Sequence, residues 1–192
     1  PPAGTISARE GASRAATVQF TIKIHGKQSH GSQPQAGIDA VVVGSAMVMN
    51  LQTIVSRQLN AIDTAVLTIG TFKGGDRWNI VGGEAVLEGT TRYFDKKVGK
   101  KLEDKMNQII QSTAQAYGAA AEMEYVHVVP PTVNDSACTR IVREAAAKVL
   151  GSAAVYEYER VMGSEDFSFY QEKKPGSFMF VGTYNPAVDA VY

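Results

Sequence analysis

The chain of 192 residues has one cysteine, Cys138, so no internal disulfide framework is possible and a reducing compartment is the simpler expectation. It has no charge excess, since 19 Lys and Arg are balanced by 19 Asp and Glu. A general nucleic-acid binder needs a basic surplus, so this balance argues against that class. No apolar run approaches the roughly 20 residues that cross a bilayer. The three histidines are His25, His30 and His127, and no two stand four apart as paired metal ligands on a helix do. No glycine-rich phosphate loop opens a helix, and no serine elbow is present. Cys138 falls in a helical pattern with nothing beside it to lower the thiol pKa. The start, Pro1-Pro2-Ala3-Gly4, carries neither an initiator methionine nor a basic-then-apolar leader, and reads as an excised or processed piece. The expectation is a cytoplasmic chain without membrane or nucleic-acid partners.

What the chain does contain is organised around Gly26 to Ala40. Thr17 to His25 alternates, with Val18, Phe20, Ile22 and Ile24 on one side, as a half-buried strand does. Ile38 to Arg57 recurs at helical spacing, with Asp39 in its first turn. The stretch between them is therefore a strand–helix loop. Pro34 and Gly37 are ordinary turn residues, but a turn does not need the imidazole of His30. An exposed histidine on such a frame suits ligand contact or proton transfer.

Thr64–Phe72 and Ala85–Phe94 are β-rich. Lys96–Tyr117 reads as a helix ended by Gly118, and Glu122–Val129 as a further strand. The order strand, helix, strand, strand, helix, strand predicts a ferredoxin-like antiparallel sheet with two helices on one face, over residues 17–129. Residues 1–16 show no period and read as a connector. Pro130-Pro131 marks a boundary. Beyond it come a helix (Ser136–Leu150), an extended stretch (Tyr156–Val161), a short helix (Glu165–Gln171) capped by Ser164, and a strand (Ser177–Val181). These roughly sixty residues bury too little surface to stand alone, so 130–192 reads as part of a larger α/β domain. The fold class is α+β.

Three polar residues in the first predicted domain, His30, Asn79 and Arg92, form a reasonable set for an anionic ligand, since arginine grips a carboxylate with two parallel hydrogen bonds. Glu165 and Asp166 read better as helix-capping carboxylates than as an acid/base pair.

Five short motifs, in order, resemble those of one family. They are Ser29-His30-Gly31-Ser32-Gln33-Pro34, Ile38-Asp39-Ala40, Trp78-Asn79-Ile80-Val81, Gly89-Thr90-Thr91-Arg92 and Met162-Gly163-Ser164-Glu165-Asp166-Phe167. Together they look like the metal-dependent amidohydrolases that include aminoacylases, hippurate hydrolases and indole-acetyl-amino-acid hydrolases. The resemblance runs from about Pro2 to Gly182. It implies that residues 17–129 are the family's lid, or dimerisation, domain and that 130–192 are the last portion of its catalytic domain. His30 would reach into the partner subunit's site and stabilise the oxyanion. Asn79 and Arg92 would hold the substrate carboxylate, and Gly163 and Ser164 would border the substrate pocket. The implied substrate is a small N-acyl amino acid or peptide-like amide, and the implied assembly a homodimer through the lid.

The family also binds two divalent metal ions, usually zinc, through residues that have no counterpart here, so no metal is expected on this chain. Where family members place a proline after the turn asparagine, this chain has Val81-Gly82. The expected function is therefore that of a fragment of a dinuclear-zinc N-acyl-amino-acid amidohydrolase, inactive by itself. The alternative is a stand-alone ferredoxin-like dimerisation or small-ligand-binding module.

Overall fold

The structure, a computed structural model, describes residues 1–188. Its first eight strands are β1 (Ile6–Ser7), β2 (Gly11–Arg14), β3 (Ala16–His25), β4 (Ser29–His30), β5 (Ala65–Gly74), β6 (Ile80–Val81), β7 (Glu84–Tyr93) and β8 (Ala120–Val129). Three short ones follow: β9 (Thr132–Asn134), β10 (Val155–Tyr156) and β11 (Phe180–Val181). The α-helices are α1 (Ala40–Thr53), α2 (Lys96–Ala116), α3 (Ser136–Leu150) and α4 (Ser168–Gln171). The chain divides into two units, Thr17–Val128 on one hand and Pro1–Ala16 with Val129–Tyr192 on the other.

In the Thr17–Val128 unit the strand order is β5-β7-β3-β8. Alternation in β3 sets the inward face. Val18, Phe20, Ile22 and Ile24 are fully buried, while Gln19, Lys23 and His25 are exposed. Helix α1 packs on β5 and β7 and against α2. It buries Ala40, Val43, Met47 and Leu51, and α2 buries Leu102, Met106 and Ile110. Each large apolar side chain so buried contributes about 1.5–3 kcal/mol. Asp39 is the N-cap of α1 and does not lie in its first turn. Its carboxylate accepts from the amides of Val41 (2.9 Å) and Val42 (3.3 Å), two of the four donors a helix start leaves unpaired. After Thr53 the helix widens into a π-helical turn, Ile54–Gln58.

Together Ala40–Gln58 make a 19-residue helical stretch apolar enough by composition to cross a membrane, contrary to the reading of the sequence. About a third of that stretch is buried against the unit's own core, while Val41, Val42, Met49 and Val55 are exposed. At one edge of the sheet β5 pairs only with β7, and the side chains of Val42 and Met49 on α1 are exposed.

In the other unit the strands are two to four residues long. β1 pairs with β10 in parallel and with β11 antiparallel, and β2 pairs with β9. Residues 1–16, read as a connector, are thus strand-forming. Pieces this short show no period, and their partners lie more than a hundred residues away. Two further expectations change. Ser164 does not cap α4, which starts at Ser168 without a side-chain cap, because Glu165–Phe167 are turns closed by Ser168 N to Glu165 O and Phe169 N to Asp166 O. The extended stretch expected over Tyr156–Val161 is reduced to β10 and an isolated bridge between Val161 and Arg14. Of the expected portion 130–192, residues 189–192 lie outside the described residues.

Candidate functional site

His30 lies on β4, which pairs with β6 so that His30 stands opposite Ile80. The Gly31 amide donates to the Asn79 carbonyl at 2.7 Å. His30 and Asn79, distant in sequence, are therefore neighbours at one end of the unit. A Cβ on Gly31 would come within 2.8 Å of the Asn79 oxygen, so only glycine permits this approach. Gly31→Ala is expected to part β4 from β6 and lower the melting temperature by several degrees. Loss of amide protection at Gly31 in hydrogen exchange would check the cause.

The imidazole of His30 is exposed but not loose. Its Nδ1 accepts from the Ser32 amide at 3.1 Å and lies 2.7 Å from the Ser32 hydroxyl. A backbone amide can only donate, so Nδ1 is the acceptor and the proton of the neutral ring sits on Nε2. The outward edge of His30 is therefore a hydrogen-bond donor. Ser32 was not picked out from the sequence. Its signal was a hydroxyl two residues after a loop histidine. The Asn79 side-chain amide has no partner among the described residues, and the adjacent Trp78 is 98% exposed.

Arg92 lies elsewhere. It pairs with Val66 across β5/β7, between the buried Thr91 and Tyr93, so it sits on the face away from the helices. Its Nη1 donates to Thr17 Oγ1 at the start of β3. Thr90 Oγ1 donates to Val18 O, and Gly26 N to Gly83 O, so β3 and β7 run antiparallel. Arg92 thus marks one end of the sheet, and His30, five residues past His25, lies beyond the other. Nine residues separate Thr17 from Gly26, about 30 Å at a strand rise of ~3.3 Å per residue. The structure joins His30 with Asn79 and keeps both away from Arg92 of the same chain.

Gly163 and Ser164 belong to the other unit. The Ala15 amide lies between the carbonyls of Val161 and Gly163, 3.3 Å from each, and the Val161 amide donates to Ser13 O, which pins this loop to β2. Cys138 lacks the lowered thiol pKa of an activated cysteine. The Asp135 carboxylate that caps α3 holds its thiol pKa above the ordinary value, with some help from burial. Among the described residues no three His, Cys, Asp or Glu side chains cluster as metal ligands.

Residues 2–190 match the profile of peptidase family M20/M25/M40. The chain belongs to this family. It is 36% identical over 180 residues to N-acetyl-L-cysteine deacetylase of Bacillus subtilis, covering 94% of this chain and 43% of the relative. It is also 36% identical to IAA-amino acid hydrolase ILR1-like 4 of Arabidopsis thaliana, over 96% of this chain and 43% of that one. The crystal structure of Bacillus subtilis YXEP, a dinuclear metal binding peptidase from the M20 family, superposes with a TM-score of 0.78 at 31% identity, over 95% of this chain and 45% of that one. The chain spans less than half the length of these M20 relatives.

Proposed function

We propose that this M20 chain supplies the lid and the last catalytic-domain portion of a homodimeric N-acyl-amino-acid amidohydrolase. The order β5-β7-β3-β8, with α1 and α2 packed on one face, supports reading Thr17–Val128 as the ferredoxin-like lid. An open apolar groove of about 550 Å³ supports reading the other unit as part of a larger domain. Ile6, Ile141, Val142, Val149, Met179 and Val181 line it, and further protein would cover it. The two metal ions, zinc by the resemblance, would be held by other parts of the parent. Among the described residues no cluster of His, Cys, Asp or Glu fits them.

The roles follow from the donors present. His30 Nε2–H donates to the oxygen that gains negative charge as the amide is attacked. Arg92, with Asn79, binds the carboxylate that orients the substrate. The observation that carries the reading is the separation of His30 from Arg92. A dipeptide-sized substrate, roughly 7 Å when extended, cannot touch both residues of one copy. Two copies solve this, with His30 and Asn79 entering the site beside the other copy's Arg92. The unpaired edge of β5 and the exposed Val42 and Met49 are a surface suited to that second copy.

A mixing experiment tests it. Parent enzymes carrying His30→Ala and Arg92→Ala should each be nearly inactive. Unfolded and refolded together in equal amounts, half of the dimers are mixed, and each mixed dimer has one intact site. Activity should return to about a quarter of wild type, as a two-fold assembly requires. No recovery, with mixed dimers demonstrated by mass spectrometry, would overturn the shared site.

A further inference from the structure

We propose that Arg14 forms a second anion subsite that takes a carboxylate of the substrate other than the one assigned to Arg92. The proposal rests on the reading that the loop Met162–Ser164 borders the substrate pocket. Arg14 ends β2 and bridges to Val161, so its side chain leaves the backbone beside that loop. The guanidinium carbon lies 4.4 Å from the ring centre of Phe180 and 6.0 Å from that of Phe178. A Cβ built on Gly163 would come 3.1 Å from Arg14 Nη1, so a glycine here lets the guanidinium lie against the exposed loop backbone.

Arg14 is a cation that the described residues of its own unit leave unneutralised. Arg9 and Arg143 both pair with Glu157, at 3.2 and 3.8 Å. Arg14 has no ion-pair partner among the described residues, although Glu165 and Asp166 follow Gly163 closely in sequence. Its Nε is buried without a hydrogen-bond partner. What holds the group in place is therefore packing over the Phe180 ring, and no described residue takes a hydrogen bond from the guanidinium. The two Nη groups form the free end of the fork, and a carboxylate accepts two parallel hydrogen bonds from such an end. Because the side chain is partly buried, the attraction is less screened than at an open surface. This chemistry selects an amide with a second carboxylate, on the acyl chain or on the amino-acid side chain.

The test uses the intact parent and two pairs of near-isosteric amides. N-succinyl- and N-butanoyl-methionine differ by a carboxylate on the acyl chain. N-acetylglutamate and N-acetylglutamine differ by one on the side chain. Wild type should favour the diacid of at least one pair, and the pair affected tells where the carboxylate lies. Arg14→Met should raise KM for that diacid about 10- to 100-fold while its neutral counterpart changes less than about twofold. Arg14→Lys should restore part of the preference.

Equal losses on diacid and neutral amide, with a lowered melting temperature, would overturn the proposal and make Arg14 a structural partner of a carboxylate elsewhere in the parent. No change on any amide would overturn it too. A parent that cleaves none of the four fails the amidohydrolase reading itself. The subsite is then decided by calorimetric titration with succinate, where binding that Arg14→Met abolishes supports it and no binding overturns it.

Discussion

Replacing His30 with alanine in the intact parent should lower kcat by about 10²–10³-fold, the usual effect of removing one positioned oxyanion donor. The size follows from the geometry of the loop. The Ser32 amide occupies Nδ1, so the ring arrives with its proton already on Nε2 and needs no reorganisation during reaction. KM should change little, because the donor meets its full acceptor charge only in the transition state. The fold should be untouched, since His30 is exposed. Steady-state kinetics beside a thermal melt would decide it. Turnover within a few-fold of wild type, with the melt unchanged, would remove His30 from the chemistry.

Asn134→Ala should have the largest effect on stability. Asn134 is 3% exposed and uses both ends of its amide. Nδ2 donates to the carbonyls of Arg9 and Phe178, each at 2.8 Å, and Oδ1 accepts from the Phe178 amide (2.7 Å) and Gln171 Nε2 (3.0 Å). One side chain therefore ties β9 to the segment before β2, to α4 and to Phe178, two residues before β11. In a unit whose strands are two to four residues long, these bonds replace the ladders that longer strands would supply. Alanine would leave several buried groups unpaired at about 1–3 kcal/mol each, for a total loss of roughly 3 kcal/mol or more. Denaturant unfolding would measure it. A loss below about 1 kcal/mol would mean that water or neighbouring groups replace the amide. Asn134→Asp should fare no better, since it turns an acceptor toward two carbonyl oxygens.

The two units differ in how much of them the sequence discloses. In the Thr17–Val128 unit, ten-residue strands and long helices carry clear periods, so element order and the buried faces of β3 and α2 were legible, with bounds shifted by a few residues. In the other unit β1, β2, β10 and β11 are too short for a period. Arg14 and Asn134 went unnoticed there because their partners, Phe180 and Arg9, are close only in space. Ser164 looked like a helix cap because a serine before two carboxylates commonly is one. Backbone turns over Glu165–Phe167 delay the helix instead.

By itself, then, the sequence determined the family, through five motifs in order, and the kinds of residue a site could draw on. Side-chain chemistry and local periodicity are properties of residues and near neighbours, and both survive in a linear string. Which donors can serve one ligand is a property of distance, and only the tertiary structure decided it. Strand pairing brings His30 to Asn79 across a gap of some fifty residues, while the extended length of β3 and β7 holds Arg92 at the far end of the four-stranded sheet.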